Sequence, residues 1–177
     1  MGQVELQFLG SGDNFGSGGR FQTCILVRSD TAHFLMDCGA SSLIAMRRFG
    51  VSPSLIDLIL LTHLHGDHFG GVPFFVLDAQ LISRRTRPLV VAGPPGLAAR
   101  TRQAMEVLFP GLSQTQQRFA ITFIELPDRT ATAMASLSVT PYSVVHASGA
   151  PAYALRVECA GKVIAYSGDT EWTDSLA

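Results

Sequence analysis

Cysteine, charge and long apolar runs are all scarce in this sequence, and each scarcity removes a class of protein. Only three cysteines occur, Cys24, Cys38 and Cys159, with no Cys-x-x-Cys among them. An odd, widely spaced set builds no disulfide framework, so reduced thiols in a cytosolic setting are expected. Charged residues make up 15% of the chain and the net charge is −1. No global field draws nucleic acid, which leaves only a local basic patch for that role. No apolar stretch reaches the roughly 18 residues that cross a bilayer as a helix. The opening Met1-Gly2-Gln3-Val4-Glu5 lacks the basic start and apolar block of a secretory signal. A cytoplasmic protein without membrane association is expected.

What is present points to one folded unit. Apolar residues make up 47% of 177, enough for a core and against disorder. A single domain, residues 1–177, is therefore predicted. Cys24 and Cys159 lie in strand-like runs and read as small core residues.

The chain is organised around Leu58-Ile-Leu-Leu-Thr-His-Leu-His-Gly-Asp-His68, which holds three of its five histidines. Leu58 to Leu61 reads as a buried strand. Just past it come His63, His65, Asp67 and His68. Extended backbone would point His63 and His65 the same way, and Gly66 lets the chain turn to bring Asp67 and His68 alongside. Hydrophobic packing gives no reason for such a cluster. Two imidazoles on one side and a carboxylate with an imidazole on the other suit a pair of metal ions, zinc best, with manganese or iron also accommodated.

Around that stretch the pattern alternates strand and helix. Strands are predicted over 4–9, with Val4, Leu6 and Phe8 on the buried face, and over 23–27 and 34–37. Between the first two lies a ten-residue loop, Gly10 to Gly19, holding five glycines; it matches no phosphate-loop sequence. Helices are predicted over 42–49, over 73–84 with Phe74, Leu77 and Leu81 as the buried face, and from Pro94 to about Phe109, where Pro110-Gly111 stops it. Further strands are expected over 88–92, 120–126, 137–145, 152–158 and 162–166. The pattern gives a mixed α/β class. Five of the thirteen basic residues, all arginine, lie between Arg84 and Arg102. They read as a solvated turn and helix face, because no aromatics interleave with them as single-strand binding requires.

His63-x-His65-x-Asp67-His68 after an apolar strand resembles the signature of the metallo-β-lactamase-fold superfamily. The glycine-rich loop after the first strand and the Gly93-Pro-Pro-Gly-Leu97 turn resemble its ribonuclease Z-like branch. Ser167-Gly168-Asp169-Thr170 matches the family's Ser-Gly-Asp-Thr pattern residue by residue. The resemblance implies an αββα sandwich and two Zn2+ ions (Mn2+ or Fe2+ as alternatives). By carry-over, His63, His65 and His146 hold the first ion, Asp67 and His68 the second, and Asp169 bridges. Asp37 would support the ligands from outside, an alternative being to cap the helix near Ser41. Asp13 and Asn14 become candidate substrate contacts, and Asp67 also a candidate proton acceptor.

The implied activity is metal-assisted hydrolysis, of a phosphodiester first, with a small carboxylic ester, lactone or sulfate ester as the alternative. A catalytically inactive metal-binding remnant of the same fold is a third reading. A small-molecule or nucleotide-type substrate is expected. RNA stays open, although the family's tRNA-binding arm has no room between His146 and Asp169. The family pattern also has a further histidine some tens of residues beyond the bridging aspartate. This sequence reaches Ala177 without one, so a domain truncated at its C-terminus, with the second half of the sandwich incomplete, is expected. Self-association into a homodimer is compatible with that expectation.

Overall fold

The computed structural model describes residues 2–176; Met1 and Ala177, the bounds of the expected domain, lie outside the described residues. Two sheets pack face to face. The first has six strands in sequence order: β1 (Val4–Gly10), β2 (Cys24–Ser29), β3 (His33–Met36), β4 (Leu58–Leu60), β5 (Leu89–Gly93) and β6 (Ile121–Glu125). β1, β2 and β3 pair antiparallel, and β3 to β6 run parallel. The second sheet is an antiparallel set ordered β10-β9-β8-β7, from β7 (Thr132–Met134), β8 (Leu137–Val144), β9 (Ala152–Cys159) and β10 (Lys162–Tyr166). Helices α1 (Ser42–Arg48), α2 (Gly66–Phe69), α3 (Val72–Leu81) and α4 (Leu97–Leu108) complete the chain order. Among the described residues no helix is long and apolar enough to cross a membrane.

Alternation along the strands sorts the core into two layers. Leu26, Leu35, Ile59 and Leu61 face the helices and pack with Met46, Phe75, Val76 and Met105. Ile25, Val27, Phe34, Leu58 and Leu60 face the second sheet and meet Val139, Tyr153, Leu155, Val157 and Ile164. The central parallel strands are covered on both faces, which is why β4 is apolar at every position. Cys24 and Cys159 are buried among these side chains, as their runs suggest, and Cys38 is buried as well.

Two expectations about faces need correction. Leu6 and Phe8 of β1 are 41% and 63% exposed. They pair with Val27 and Ile25 and so face the second sheet's side. But β1 is the outermost strand of a six-stranded sheet packed on a four-stranded one, and its edge overhangs. In α3 the buried residues are Val72, Pro73, Phe75, Val76, Asp78 and Ala79, not the Phe74, Leu77 and Leu81 stripe. Phe74 instead meets Phe109 edge-on at 5.3 Å, and Leu81 is 58% exposed. Buried Asp78 is satisfied by Arg47 and Ser83, which ties α3 to α1.

Candidate metal centre

The parallel strands β3 and β4 end side by side, and the crevice beyond their carboxyl ends is where an open α/β sheet leaves room for a site. Asp37 follows β3, and Thr62 to His68 follow β4. Residue 66 begins a single helical turn, so His65 stands at its start and Asp67 and His68 lie within it. Gly39 allows the two loops to touch: a Cβ there would stand 2.2 Å from the Asp67 carbonyl oxygen. From the second sheet, His146 follows β8 and Asp169 follows β10. The turn before Asp169 depends on Gly168, which has φ +59°, and whose missing Cβ would meet the Thr62 Cβ at 2.9 Å. Any other residue there would be strained and displaced.

All six residues picked out as metal ligands converge. The His63 ring lies 4.8 Å from that of His65, 4.2 Å from His68 and 4.7 Å from His146, centre to centre. Nitrogens of His65 and His146 are 3.1 Å apart; two nitrogen ligands of one tetrahedral zinc stand about 3.3 Å apart. Two donor sets result, His63 with His65 and His146, and His63 with Asp67 and His68, the donor atoms within each lying within 4.8 Å of one another. Asp169 reaches between them, one oxygen 3.3 Å from His68 Nε2 and the other 3.9 Å from His146 Nε2. Both His63 Nε2 and Asp67 Oδ1 are buried with no hydrogen-bond partner. Orphaned buried donor atoms cost free energy unless something binds them. Imidazole and carboxylate together fit zinc or a similar divalent ion.

Proton positions follow from the hydrogen bonds. Asp37 is fully buried and accepts from Thr62 N at 2.8 Å, His68 Nδ1 at 2.7 Å and Tyr166 Oη at 3.0 Å. With its proton on Nδ1, His68 offers the Nε2 lone pair to the cluster. Thr62 Oγ1 lies 3.0 Å from both Asp37 Oδ2 and His63 Nδ1. Its single proton goes to the carboxylate, so it accepts from His63 Nδ1–H, and His63 Nε2 is likewise a bare lone pair. Burial, then the neighbouring imidazoles of His68, His146 and His65, pull the His63 pKa down to about 3, which keeps it in the neutral, metal-binding form. For His68, burial opposes the charge, but the Asp37 hydrogen bond and charge, then Asp169 and Asp67, outweigh it and raise the pKa. Asp37 thus contacts His68, with Thr62 and Tyr166, whereas Ser41, the N-cap of α1, receives no side-chain cap.

The remaining candidates are less central. Asp13 uses its carboxylate within its own loop, accepting from Phe15 N, Ser17 N and Ser17 Oγ at 3.0, 3.1 and 2.7 Å. Asn14 Oδ1 would lie 3.7 Å from a Cβ on Gly66, so that loop does border the histidine segment. Three of the five arginines hold the fold. Arg85 is buried and donates to the Arg87 and Pro88 carbonyls, Arg87 pairs with Asp57, and Arg102 covers the Phe123 ring. Thr62 and Tyr166 were not singled out from sequence. Thr62 directly precedes His63 in the motif. Tyr166 gives only the weak hint that a hydroxyl at the inward end of a strand needs an acceptor.

This sandwich, with its cluster of candidate ligands at one end of the sheets, is the metallo-β-lactamase fold and is similar to that of ribonuclease Z proteins. The chain belongs to the family described as Anti-Pycsar protein Apyc1, whose model matches residues 4–177. Curated relatives include a ribonuclease Z of Lachnoclostridium phytofermentans, 36% identical over 123 residues, covering 70% of this chain and 38% of that protein. Another, from Lachnospira eligens, is 29% identical over 160 residues, covering 90% and 50%. The chain therefore spans half or less of the length of these relatives. Among solved structures, human tRNase Z, short form, matches with TM-score 0.75 at 25% identity over 96% of this chain and 69% of that one. The Bacillus subtilis metallo-β-lactamase fold protein YhfI matches with TM-score 0.76 at 18% identity, covering 98% and 65%.

Proposed function

We propose that the protein is a zinc-dependent hydrolase that directs an activated water at a phosphodiester. The observation that carries this reading is the pair of donor sets meeting at His63, with the two oxygens of Asp169 turned one towards each. In this reading His63, His65 and His146 hold one ion, Asp67 and His68 the other, and Asp169 both. When bound, such a pair would lower the pKa of a water towards about 7 and stabilise charge on the substrate oxygen. The chain's own part is orientation and proton handling. Asp37 and Thr62 fix the two histidine tautomers. Asp67 would hold the ion through one carboxylate oxygen and take the proton of the attacking water through the other.

The ribonuclease Z relatives support a phosphodiester substrate. Between His146 and Asp169 the chain is taken up by the hairpin of β9 and β10, which supports a small nucleotide-type or cyclic diester over tRNA. Action as a single domain is supported by the two apolar clusters sharing the first sheet. Three free cysteines suit a reducing cytoplasm.

The test combines metal analysis with paired substrates. Zinc-loaded protein should hydrolyse bis(p-nitrophenyl) phosphate well above p-nitrophenyl acetate. Asp67→Ala should lower kcat on the diester at least 100-fold, in line with the loss of a positioned base. Preference for the acetate would move the substrate class to carboxylic esters. Zinc binding without turnover of either would leave a metal-binding remnant, and unchanged turnover in Asp67→Ala would remove its catalytic role.

A further inference from the structure

The ligands of the proposed centre come from two different sheets. His63, His65, Asp67 and His68 ride on the loop after β4, while His146 and Asp169 follow β8 and β10. Between the sheets the contacts are apolar, and apolar contact is non-directional. It does not by itself fix one sheet against the other to the few tenths of an ångström that a shared ligand such as Asp169 needs. Directional ties must set that register at the end where the ligands meet.

Among the described residues, Tyr153 Oη donates to the Leu126 carbonyl at 3.1 Å, and two further ties reach the loops that carry the candidate ligands. Tyr153 N–H donates to the Thr62 carbonyl at 2.9 Å, joining β9 to the residue before His63. Tyr166 Oη donates to Asp37 Oδ2 at 3.0 Å, joining the last residue of β10 to the loop after β3. The Tyr166 tie is the more telling. The same Asp37 oxygen accepts from His68 Nδ1 at 2.7 Å, and three residues past Tyr166 stands Asp169, 3.3 Å from His68 Nε2. One carboxylate oxygen thus connects the ring of a ligand on the first sheet to the strand end that delivers a ligand from the second.

We propose that Tyr166 is a positioning residue: through Asp37 it fixes His68 and Asp169 relative to one another, and so sets the affinity of the second ion. The proposal rests on reading the cluster as a two-ion centre. The Tyr166 hydroxyl is engaged by Asp37, so it acts through Asp37. Burial, then the charge and hydrogen bond of Asp37, push its pKa up, and the hydroxyl remains a donor across the working range. Its ring packs against the inter-sheet core, a role that phenylalanine would keep.

Tyr166→Phe therefore isolates the hydroxyl. Titration of the metal-free 177-residue protein with Zn2+ by calorimetry, and with Co2+ by absorption, should show the first equivalent binding as in wild type. The second should bind about 10–100-fold more weakly, the usual cost of losing an outer partner of a ligand. Asp37→Asn with Tyr166→Phe should lose no more second-ion affinity than Asp37→Asn alone, because both act through one oxygen. Wild-type affinity for both equivalents in Tyr166→Phe, or losses that add in full, would overturn the proposal. Fewer than two equivalents in wild type would instead overturn the two-ion reading. In that event amide exchange of the metal-free protein decides: the Glu171 amide, bonded to the Val145 carbonyl at 2.9 Å, should exchange faster in Tyr166→Phe. Unchanged exchange would show that the hydroxyl positions nothing.

Discussion

His63 takes part in both donor sets, and its environment makes the metal-free protein sensitive to acid. Its pKa falls to about 3 from 6.5, through burial and then the surrounding imidazoles. Between those values the unfolded chain holds a proton that the folded chain refuses, so stability declines as the pH drops through that window. His68 works in the opposite sense. Its pKa is raised, so its contribution is fully present below 6.5 and is lost as pH rises through its folded value. Going from pH 6.5 to 4.5, metal-free wild type should lose stability faster than His63→Asn. The difference should be at most about 1.4 kcal/mol per pH unit. Urea midpoints at several pH values measure it, and parallel profiles for the two proteins would contradict the assignment. His63, His65, Asp67 and His68 could be grouped from the sequence because these candidate ligand types fall within one short motif. His146 and Asp169 needed the family pattern, since each is a single residue at a strand end. Tyr166 stayed hidden because its bond to Asp37 spans 129 positions and no local rule pairs them.

At the level of elements, α3 shows where periodicity stops deciding. From Val72 to Leu81 only Asp78 and Gln80 are polar, so two stripes satisfy helical spacing equally well. One runs through Phe74, Leu77 and Leu81, the other through Val72, Phe75, Val76 and Ala79. The second faces the sheet because the loop after α2 sets the helix's rotation, through Gly71 packed against the carbonyls of Gly39 and Cys38. Phe75 is 1% exposed and Leu81 58%. Phe75→Ala should cost about 3–5 kcal/mol and Leu81→Ala less than about 0.5 kcal/mol, as read by denaturant titration. The reverse order would restore the face suggested by the sequence. β1 teaches a related lesson: alternation correctly assigns Leu6 and Phe8 to the inner side, but whether an inner side is covered depends on how far the opposite sheet extends. β7, three residues long, was missed because so short a run carries no period.

For the whole molecule, the order and direction of the strands were not readable from the chain, because pairing partners are set by packing rather than by neighbours in sequence. What the sequence did carry was the mixed α/β pattern and the run of strand ends bearing histidine or aspartate, and those strand ends gather at one end of the two packed sheets. This placement gives the metal a structural consequence. Ions held by His63, His65, Asp67 and His68 from one sheet and by His146 and Asp169 from the other would bridge the sandwich at its open end, and they would relieve the unpartnered His63 Nε2 and Asp67 Oδ1. Because the unfolded chain has no such assembled site, binding stabilises the folded state by about 4 kcal/mol when free metal is 1,000 times its dissociation constant. For a domain of this size that corresponds to a melting temperature roughly 8–16 °C higher. Scanning calorimetry of chelator-treated protein, before and after adding zinc back, should show that rise. His65→Ala and Asp169→Ala should each reduce it, although they lie in loops contributed by different sheets. A zinc-induced rise that survives both substitutions would place the metal elsewhere on the molecule.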